Sequence, residues 1–161
     1  MVMNPPIDNT AIPLRAEPLV HPRFMELLER ATGKGLKVTI STNGTRITPE
    51  AAARFKELGV AYVGISLDGI GAVHDKFRGV EGSFEQAVRG FRLCSEVGQK
   101  TGLRLTLTRN NVQCMGQILD FIDANDIQRV CFYHLVPTGR GVEVQTLTQE
   151  EARNAMDTLI A

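Results

Sequence analysis

Polar side chains stand directly after four short apolar runs, and these residues are the best placed for chemistry. The runs begin at Val38, Val63, Leu103 and Val130. The polar residues that close the first three runs are Ser41, Thr42, Asn43, Ser66, Asp68, Thr108, Asn110 and Asn111. Together they offer both donors and acceptors of hydrogen bonds. This mixture suits a ligand that carries hydroxyls, an amine and a carboxylate, such as a ribose joined to an amino acid.

Two charged residues extend this candidate site. Arg78 lies in the connection after the second run, and a guanidinium can form two parallel hydrogen bonds with a carboxylate or a phosphate. Glu17, which precedes Pro18, offers a carboxylate that can face an ammonium group. The alternative is that the Asn-Gly and Asp-Gly pairs of these runs are ordinary turn formers. Both interpretations suit a single run, whereas four such runs together favour a binding site.

The elements that must position these residues alternate along the chain. Apolar stripes with a period near 3.6 residues predict helices, and the β-branched runs between them predict strands. The predicted strands are residues 36–41, 60–66, 103–108 and 129–135, with helices before, between and after them. Strands that alternate with helices form a parallel sheet, because parallel strands need crossover connections. We therefore expect an α/β fold, a parallel sheet or barrel, with ligands at the carboxyl ends of the strands.

Local signals predict where several helices begin. The first helix is expected to start at Pro22, because proline suits the first helical position. Thr48, followed by Pro49, predicts a capped helix start. Capping boxes predict two further starts, at Ser83–Gln86 and at Thr148–Glu151.

The connection Leu67–Gly82 is long for a link between a strand and a helix. Connections of this length in compact domains are often functional. His74 and Asp75 lie within it and could form an acid–base pair, although a surface hydrogen bond is the commoner arrangement for such neighbours.

Composition narrows the classes of function. The 18 basic residues balance the 18 acidic ones, so the net charge is zero, which argues against nucleic acid as a partner. No apolar run approaches the roughly 18 residues that span a bilayer, and no signal pattern is present. We expect no membrane partner and a cytoplasmic location. The three cysteines, Cys94, Cys114 and Cys131, have no metal-ligand spacing, which predicts buried, reduced thiols and no metal site.

Several of these segments resemble motifs of the radical S-adenosylmethionine (radical SAM) superfamily. Ser41–Gly44 and Ile65–Gly69 resemble the ends of the third and fourth strands of its barrel. Ala16–Leu19 resembles the Gly-Gly-Glu-Pro motif that ends the second strand. His74–Gly79, followed by Gly82–Glu85, is similar to the loop and helix start after the fourth strand in members with a C-terminal cluster-binding extension.

Within that superfamily, two further segments resemble one group of enzymes. His134–Gly141 and Leu107–Asn110 are most similar to the radical enzymes of d1-type haem biosynthesis. The resemblance runs from about Ala16 to the C-terminus.

The resemblance implies the cofactors and the reaction. In this superfamily three cysteines hold a 4Fe-4S cluster, and its open iron binds the amino and carboxylate groups of S-adenosylmethionine. One-electron reduction, by a partner such as a flavodoxin or ferredoxin, cleaves the sulfonium. The 5′-deoxyadenosyl radical that forms abstracts hydrogen from the substrate. In the haem group the substrate would be a sirohaem-derived tetrapyrrole that loses propionate side chains.

The resemblance also implies which residues bind S-adenosylmethionine. Glu17 would face the methionine ammonium, and the backbone near Val136 would meet the adenine. Side chains at the strand ends would contact the methionine carboxylate or the ribose. The full predicted set is Glu17, Pro18, Thr42, Asn43, Ser66, Asp68, Arg78, Arg109, Asn110 and Val136.

The sequence also departs from the superfamily pattern. The Cys-x3-Cys-x2-Cys loop is absent, and Arg15-Ala16 stands where the two glycines belong. Residues 1–13 predict an irregular leader, and residues 14–161 predict a partial radical SAM core with the second to sixth βα units. We therefore expect a partial (β/α)6 TIM-like barrel that lacks its first strand and its cluster loop, and a polypeptide that is inactive by itself.

Three functions stay open at this point. The first is a fragment of a radical SAM enzyme of tetrapyrrole biosynthesis. The second is a peptide-modifying maturase of the same superfamily. The third is a non-catalytic α/β scaffold or binding domain, which the absence of cluster ligands favours.

Overall fold

A four-stranded parallel sheet forms the centre of the computed structural model, which describes residues 17–135 and 146–160. The strands lie side by side in chain order, and each pairs in parallel with the next. They are β1 (Thr39–Thr42), β2 (Tyr62–Ser66), β3 (Thr101–Leu107) and β4 (Val130–His134). The predicted α/β fold with parallel strands is confirmed. The predicted leader, residues 1–13, lies outside the described residues.

Helices connect the strands, as parallel pairing requires. The described helices are α1 (Phe24–Gly33), α2 (Pro49–Glu57), α3 (Ala72–Arg78), α4 (Ser83–Glu96), α5 (Met115–Ala124) and α6 (Gln149–Ile160). Short 3-10 turns occupy Pro18–Val20 and Val112–Cys114. The first helix begins two residues later than predicted, because Pro22 lies in the turn that precedes it.

The two faces of the sheet differ in chemistry because side chains alternate along a strand. One face is apolar and packs against the helices. Its fully buried members include Ile65 on β2 and Leu103 and Leu105 on β3, which join Phe55 of α2 and Ile118 of α5 in one core. The opposite side is called the inner face here. It carries Tyr62, Gly64, Ser66, Gly102, Arg104, Thr106, Cys131 and Tyr133, as the strand register requires.

Small residues let α4 approach the end of β1 closely. Gly44 follows β1 in a left-handed conformation with φ of +79°, which favours glycine. A Cβ at Gly44 would lie 2.6 Å from Cγ2 of Ile65, and a Cβ at Gly90 of α4 would lie 2.8 Å from the Gly44 carbonyl oxygen. The turn after β1 is therefore held against both β2 and α4.

Two of the predicted helix starts are confirmed. The Thr48 hydroxyl accepts a hydrogen bond from the amide of Ala51 at 3.1 Å. At α6, the amide of Thr148 donates to Oε2 of Glu151 at 2.7 Å, and the amide of Glu151 donates to Oγ1 of Thr148 at 3.2 Å. This is the reciprocal pattern of a capping box.

The predicted capping box at Ser83–Gln86 is wrong. Gly82 is the residue before α4, and the cap comes from Asp75, seven residues earlier. Oδ1 of Asp75 accepts from the Phe84 amide at 2.8 Å and from the Ser83 hydroxyl at 2.9 Å. The predicted long loop Leu67–Gly82 in fact contains α3, which brings Asp75 to this position.

The cysteines follow the prediction in part. Cys94 and Cys114 are buried, and burial raises the pKa of the Cys94 thiol to about 11. Cys131 is only half-buried, because it projects from the inner face, so its predicted burial is wrong. Within residues 17–135 and 146–160, no three His, Cys, Asp or Glu side chains are grouped to hold a metal ion. The helices of the same ranges include none that could cross a bilayer.

Candidate functional site

The Glu17 carboxylate binds the carboxyl end of β1. Its Oε1 accepts a hydrogen bond from the Thr42 hydroxyl at 2.5 Å, and its Oε2 accepts one from the Asn43 amide at 2.7 Å. Pro18 begins the 3-10 turn that follows, and Oε1 also accepts from the Leu19 amide at 3.3 Å. Each carboxylate oxygen can accept two hydrogen bonds, so Oε2 keeps acceptor capacity for a ligand. The predicted residues Glu17, Thr42 and Asn43 thus lie together.

The turn after β1 is built by the side chains that were predicted to bind a ligand. The Thr42 hydroxyl accepts from the Gly44 amide at 3.0 Å. Oδ1 of Asn43 accepts from the amide of Thr45 at 2.9 Å and from its hydroxyl at 2.8 Å. The turn-forming interpretation of this Asn-Gly pair is therefore correct, and it positions the carboxylate of Glu17 as well.

Asp68 and Arg78, both predicted to contact the cofactor, form an ion pair with each other. Nη2 of Arg78 contacts Oδ2 of Asp68, and Oδ1 of Asp68 accepts from the Thr106 amide at 2.9 Å. Asp68 is 1% exposed, and burial raises the pKa of its carboxyl despite the neighbouring guanidinium. The Arg78 side chain is 33% exposed and reaches solvent beside the end of β2.

His74 supports the end of β2 from α3. Its Nδ1 accepts a hydrogen bond from the Asp68 amide at 3.0 Å, so the proton of the neutral ring is on Nε2. Both interpretations of His74 and Asp75 are wrong: the histidine is buried and bonds to backbone, while Asp75 caps α4. Burial, together with Arg78, lowers the pKa of His74 to about 4.

Asn111 links the ends of β2 and β3. Its Nδ2 donates to the carbonyl oxygens of Asp68 at 3.0 Å and Thr106 at 2.8 Å. Its Oδ1 accepts from the Thr108 amide at 2.8 Å and from the Thr108 hydroxyl at 3.2 Å. All the hydrogen-bonding groups of this buried side chain are used, so Asn111 acts as a rigid bridge and not as a ligand contact.

Ser66, which the resemblance places at the methionine carboxylate or the ribose, lies on the inner face at the end of β2. It is half-buried and pairs in register with Arg104 of β3. Its hydroxyl can both donate and accept. Ser66 therefore remains available to a ligand that enters from the inner face.

Arg109 and Asn110, which the resemblance places near the ribose, make no hydrogen bond to the other predicted residues within residues 17–135. Nε of Arg109 donates to Oε2 of Glu151 at 2.8 Å, which ties the end of β3 to α6. The Asn110 carbonyl accepts from the Gln113 side chain at 2.9 Å. Val136, like Arg15-Ala16, lies outside the described residues.

Sequence reasoning gave His74 and Asp75 the wrong roles and missed Arg104. His74 and Asp75 lie in α3, a short helix that the sequence does not predict because glycines flank it. Arg104 belongs to the inner face, and the alternation Leu-Arg-Leu-Thr-Leu in β3 was a signal that could have identified it.

Comparisons with known proteins agree with this architecture. The sequence profile of the Radical SAM superfamily matches residues 15–122. The chain is 45% identical over 146 residues to the Fe-coproporphyrin III synthase of Methanosarcina barkeri, with 89% of this chain and 37% of the relative covered. It is 42% identical over 147 residues to the pre-heme d1 synthase of Dinoroseobacter shibae, with 90% and 36% covered.

A solved structure supports the fold. The crystal structure of Streptococcus suis SuiB bound to S-adenosylmethionine matches 90% of this chain and 34% of that protein, with a TM-score of 0.71 and 20% identity. The chain thus spans little more than a third of the length of the relatives it matches. The profile match and the identities above 40% settle the family: the chain is a member of the radical SAM superfamily.

Proposed function

We propose that this chain is the S-adenosylmethionine-binding part of a radical SAM enzyme that modifies the side chains of a tetrapyrrole. The observation that carries the proposal is the Glu17 carboxylate, which Thr42 and Asn43 hold at the end of β1. Relatives named for the synthesis of coproporphyrin and haem d1 supply the substrate class. The finer assignment to haem d1, with a sirohaem-derived substrate, is part of the proposal.

The residues at the strand ends fit S-adenosylmethionine. Its ammonium needs an acceptor, and Oε2 of Glu17 retains one lone pair for it. Its carboxylate and ribose need donors, and the Ser66 hydroxyl lies one strand away from Glu17, on the inner face. The guanidinium of Arg78, which is partly exposed, is a second donor at the same end of the sheet.

The described residues do not fit the 4Fe-4S cluster of this superfamily. Cys94 and Cys114 are buried on the helical side of the sheet, whereas Cys131 projects from the inner face. Cysteine thiolates must converge on one point to hold such a cluster. We therefore assign S-adenosylmethionine binding, and not electron transfer, to the described residues. A reductant such as a flavodoxin or ferredoxin would act on the whole enzyme.

Two titrations of the 161-residue chain separate the three candidate functions. We expect S-adenosylmethionine to bind saturably by calorimetry, and iron coproporphyrin III to bind saturably by its Soret absorbance. Binding of S-adenosylmethionine without the porphyrin would overturn the tetrapyrrole proposal and favour a peptide-modifying maturase. Binding of neither would favour a non-catalytic α/β domain.

A further inference from the structure

We propose that Arg104, held against Tyr133 on the inner face, binds a carboxylate of the substrate. This inference rests on the proposed function and names the residue that recognises the acidic side chains of the tetrapyrrole.

Arg104 projects from the middle of β3 onto the inner face. It lies in register with Ser66 of β2 and Cys131 of β4. Its Cζ is 4.9 Å from the centroid of the Tyr133 ring. Stacking of this kind covers one face of the guanidinium and leaves the N–H groups at its edge directed outward. The arrangement orients the donors before any ligand arrives.

Two glycines provide the space in which this face is built. A Cβ at Gly64 would lie 2.7 Å from Cδ of Arg104, so the arginine stem packs directly over this glycine. A Cβ at Gly102 would lie 2.3 Å from Oη of Tyr62. Gly64 and Gly102 are paired in register, so neighbouring strands leave room at the same level of the sheet. Larger residues at either position would displace the arginine or the tyrosine.

The inner face carries positive charge that no described carboxylate neutralises. None of the ion pairs formed within residues 17–135 and 146–160 includes Arg104 or Arg129. Arg129 stacks on Tyr62, with Cζ 4.8 Å from the ring centroid. Asp68 lies at the end of this face, and it is already paired with Arg78.

A second observation points to an absent polar partner. Tyr62 is 8% exposed, and its buried Oη has no hydrogen-bond partner among the described residues. A buried hydroxyl without a partner costs free energy, which a ligand that reaches it would recover. The inner face therefore combines two stacked guanidiniums with a hydroxyl that has no partner in the described part of the chain.

The geometry separates this carboxylate position from that of S-adenosylmethionine. Glu17 lies at the end of β1, whereas the Arg104 guanidinium lies against Tyr133 of β4. Neighbouring strands are about 4.8 Å apart, so the backbones of β1 and β3 are about 10 Å apart. The ammonium and the carboxylate of methionine are attached to one carbon atom. We therefore assign the methionine carboxylate to Ser66 and Arg78, which lie nearer to Glu17, and Arg104 to the substrate.

The neighbours of Arg104 suit a flat, acidic macrocycle. Tyr133 is 37% exposed, and its ring offers an aromatic edge beside the guanidinium. Cys131, Ser66 and Thr106 are half-buried and uncharged, so they add no repulsion toward an anion. A tetrapyrrole with carboxylate side chains supplies both the aromatic plane and the negative charge.

Porphyrin titrations of the chain and its variants test the inference. The two probes are iron coproporphyrin III, which has free carboxylates, and its tetramethyl ester, which has none. The variants are Arg104→Gln, Arg104→Lys, which keeps the charge and the stem, and Arg92→Gln as the control. Arg92 is an exposed arginine of α4, and its replacement removes the same charge. S-adenosylmethionine is titrated into each protein by calorimetry.

We expect the unaltered chain and Arg92→Gln to bind the free acid about ten-fold or more tightly than the ester. Arg104→Gln should reduce that preference to about two-fold or less, Arg104→Lys should retain part of it, and the affinity for S-adenosylmethionine should stay unchanged. If Arg104→Gln kept the full preference for the free acid, this inference would be overturned while the tetrapyrrole proposal stood. The same would follow if Arg104→Gln weakened S-adenosylmethionine as much as it weakened the free acid. Failure of the unaltered chain to bind either porphyrin would overturn the tetrapyrrole proposal and this inference together.

Discussion

Nδ1 of His74 accepts a hydrogen bond from the backbone amide of Asp68, over 3.0 Å. This contact joins α3 to the end of β2, and it exists only while the imidazole is neutral. Burial and the nearby guanidinium of Arg78 lower the pKa of His74 to about 4, from an ordinary value of 6.5. The neutral ring is therefore part of the folded structure at neutral pH.

This relationship predicts how stability depends on pH. The unfolded chain binds a proton at His74 below about pH 6.5, whereas the folded chain resists it down to about pH 4. The contribution of His74 is fully present above the unfolded pKa and is lost as the pH falls through this window. We expect a loss on the order of 3 kcal/mol in the free energy of unfolding.

His74→Asn is the matched variant for that measurement. Its Oδ1 can accept the same hydrogen bond but does not titrate. Denaturant unfolding between about pH 7 and pH 4 should show a smaller fall in the free energy of unfolding for the variant than for the unaltered chain. Equal falls in the two proteins would show that His74 is not the group responsible.

A second prediction concerns Asn111. Asn111→Ala removes four hydrogen bonds and leaves the carbonyl of Asp68 and the amide of Thr108 without a partner. Each unsatisfied buried group costs about 1–3 kcal/mol, so we expect a loss of about 2–4 kcal/mol in the free energy of unfolding. Its exposed neighbour provides the control, since Asn110→Ala should change stability by less than about 0.5 kcal/mol. Similar losses in both variants would contradict the bridging role of Asn111.

The ion pair of Asp68 and Arg78 predicts a destabilisation that weakens in acid. Arg78→Ala leaves a buried carboxylate without its cation, which costs about 3 kcal/mol near neutral pH. The pKa of Asp68 is already raised by burial, and loss of Arg78 raises it further. The penalty is therefore present above the folded pKa and is relieved as the pH falls through it.

The comparison for Arg78→Ala is Lys76→Ala, which removes a positive charge from an exposed position of the same helix. Denaturant unfolding near pH 7 and near pH 4 should show a deficit for Arg78→Ala that shrinks in acid, and almost none for Lys76→Ala. A deficit that does not depend on pH would indicate lost packing and not a lost charge partner.

The sequence predicts the strands and their ends well because both signals are local. A β-branched run that stops at a glycine identifies a buried strand and the turn after it, as at Ser41–Gly44 and Ile65–Gly69. Helix starts at Thr48 and Thr148 also depend only on residues three positions away.

The partners of the strand-end residues could not be predicted in the same way. Asp75 caps α4 from a different helix, so the local rule for a capping box does not identify it. Arg78 forms an ion pair with Asp68, ten positions earlier in the chain, and no local pattern predicts that contact. The neighbours of Arg104 depend on the register of three strands. Alternation in β3 indicates two faces, but only the register brings Arg104 against Gly64 and Tyr133.

The most direct test of the proposed cofactor site is the affinity of Glu17→Gln for S-adenosylmethionine. Calorimetry is run in parallel with 5′-methylthioadenosine, which lacks the amino acid group, and with Glu57→Gln, which alters an exposed glutamate of α2. A charge-assisted hydrogen bond is worth about 1.5–3 kcal/mol, so Glu17→Gln should weaken S-adenosylmethionine about ten-fold or more. Its affinity for methylthioadenosine, and both affinities of Glu57→Gln, should match those of the unaltered chain. Equal S-adenosylmethionine affinities in Glu17→Gln and the unaltered chain would contradict the assignment of this carboxylate to the methionine ammonium.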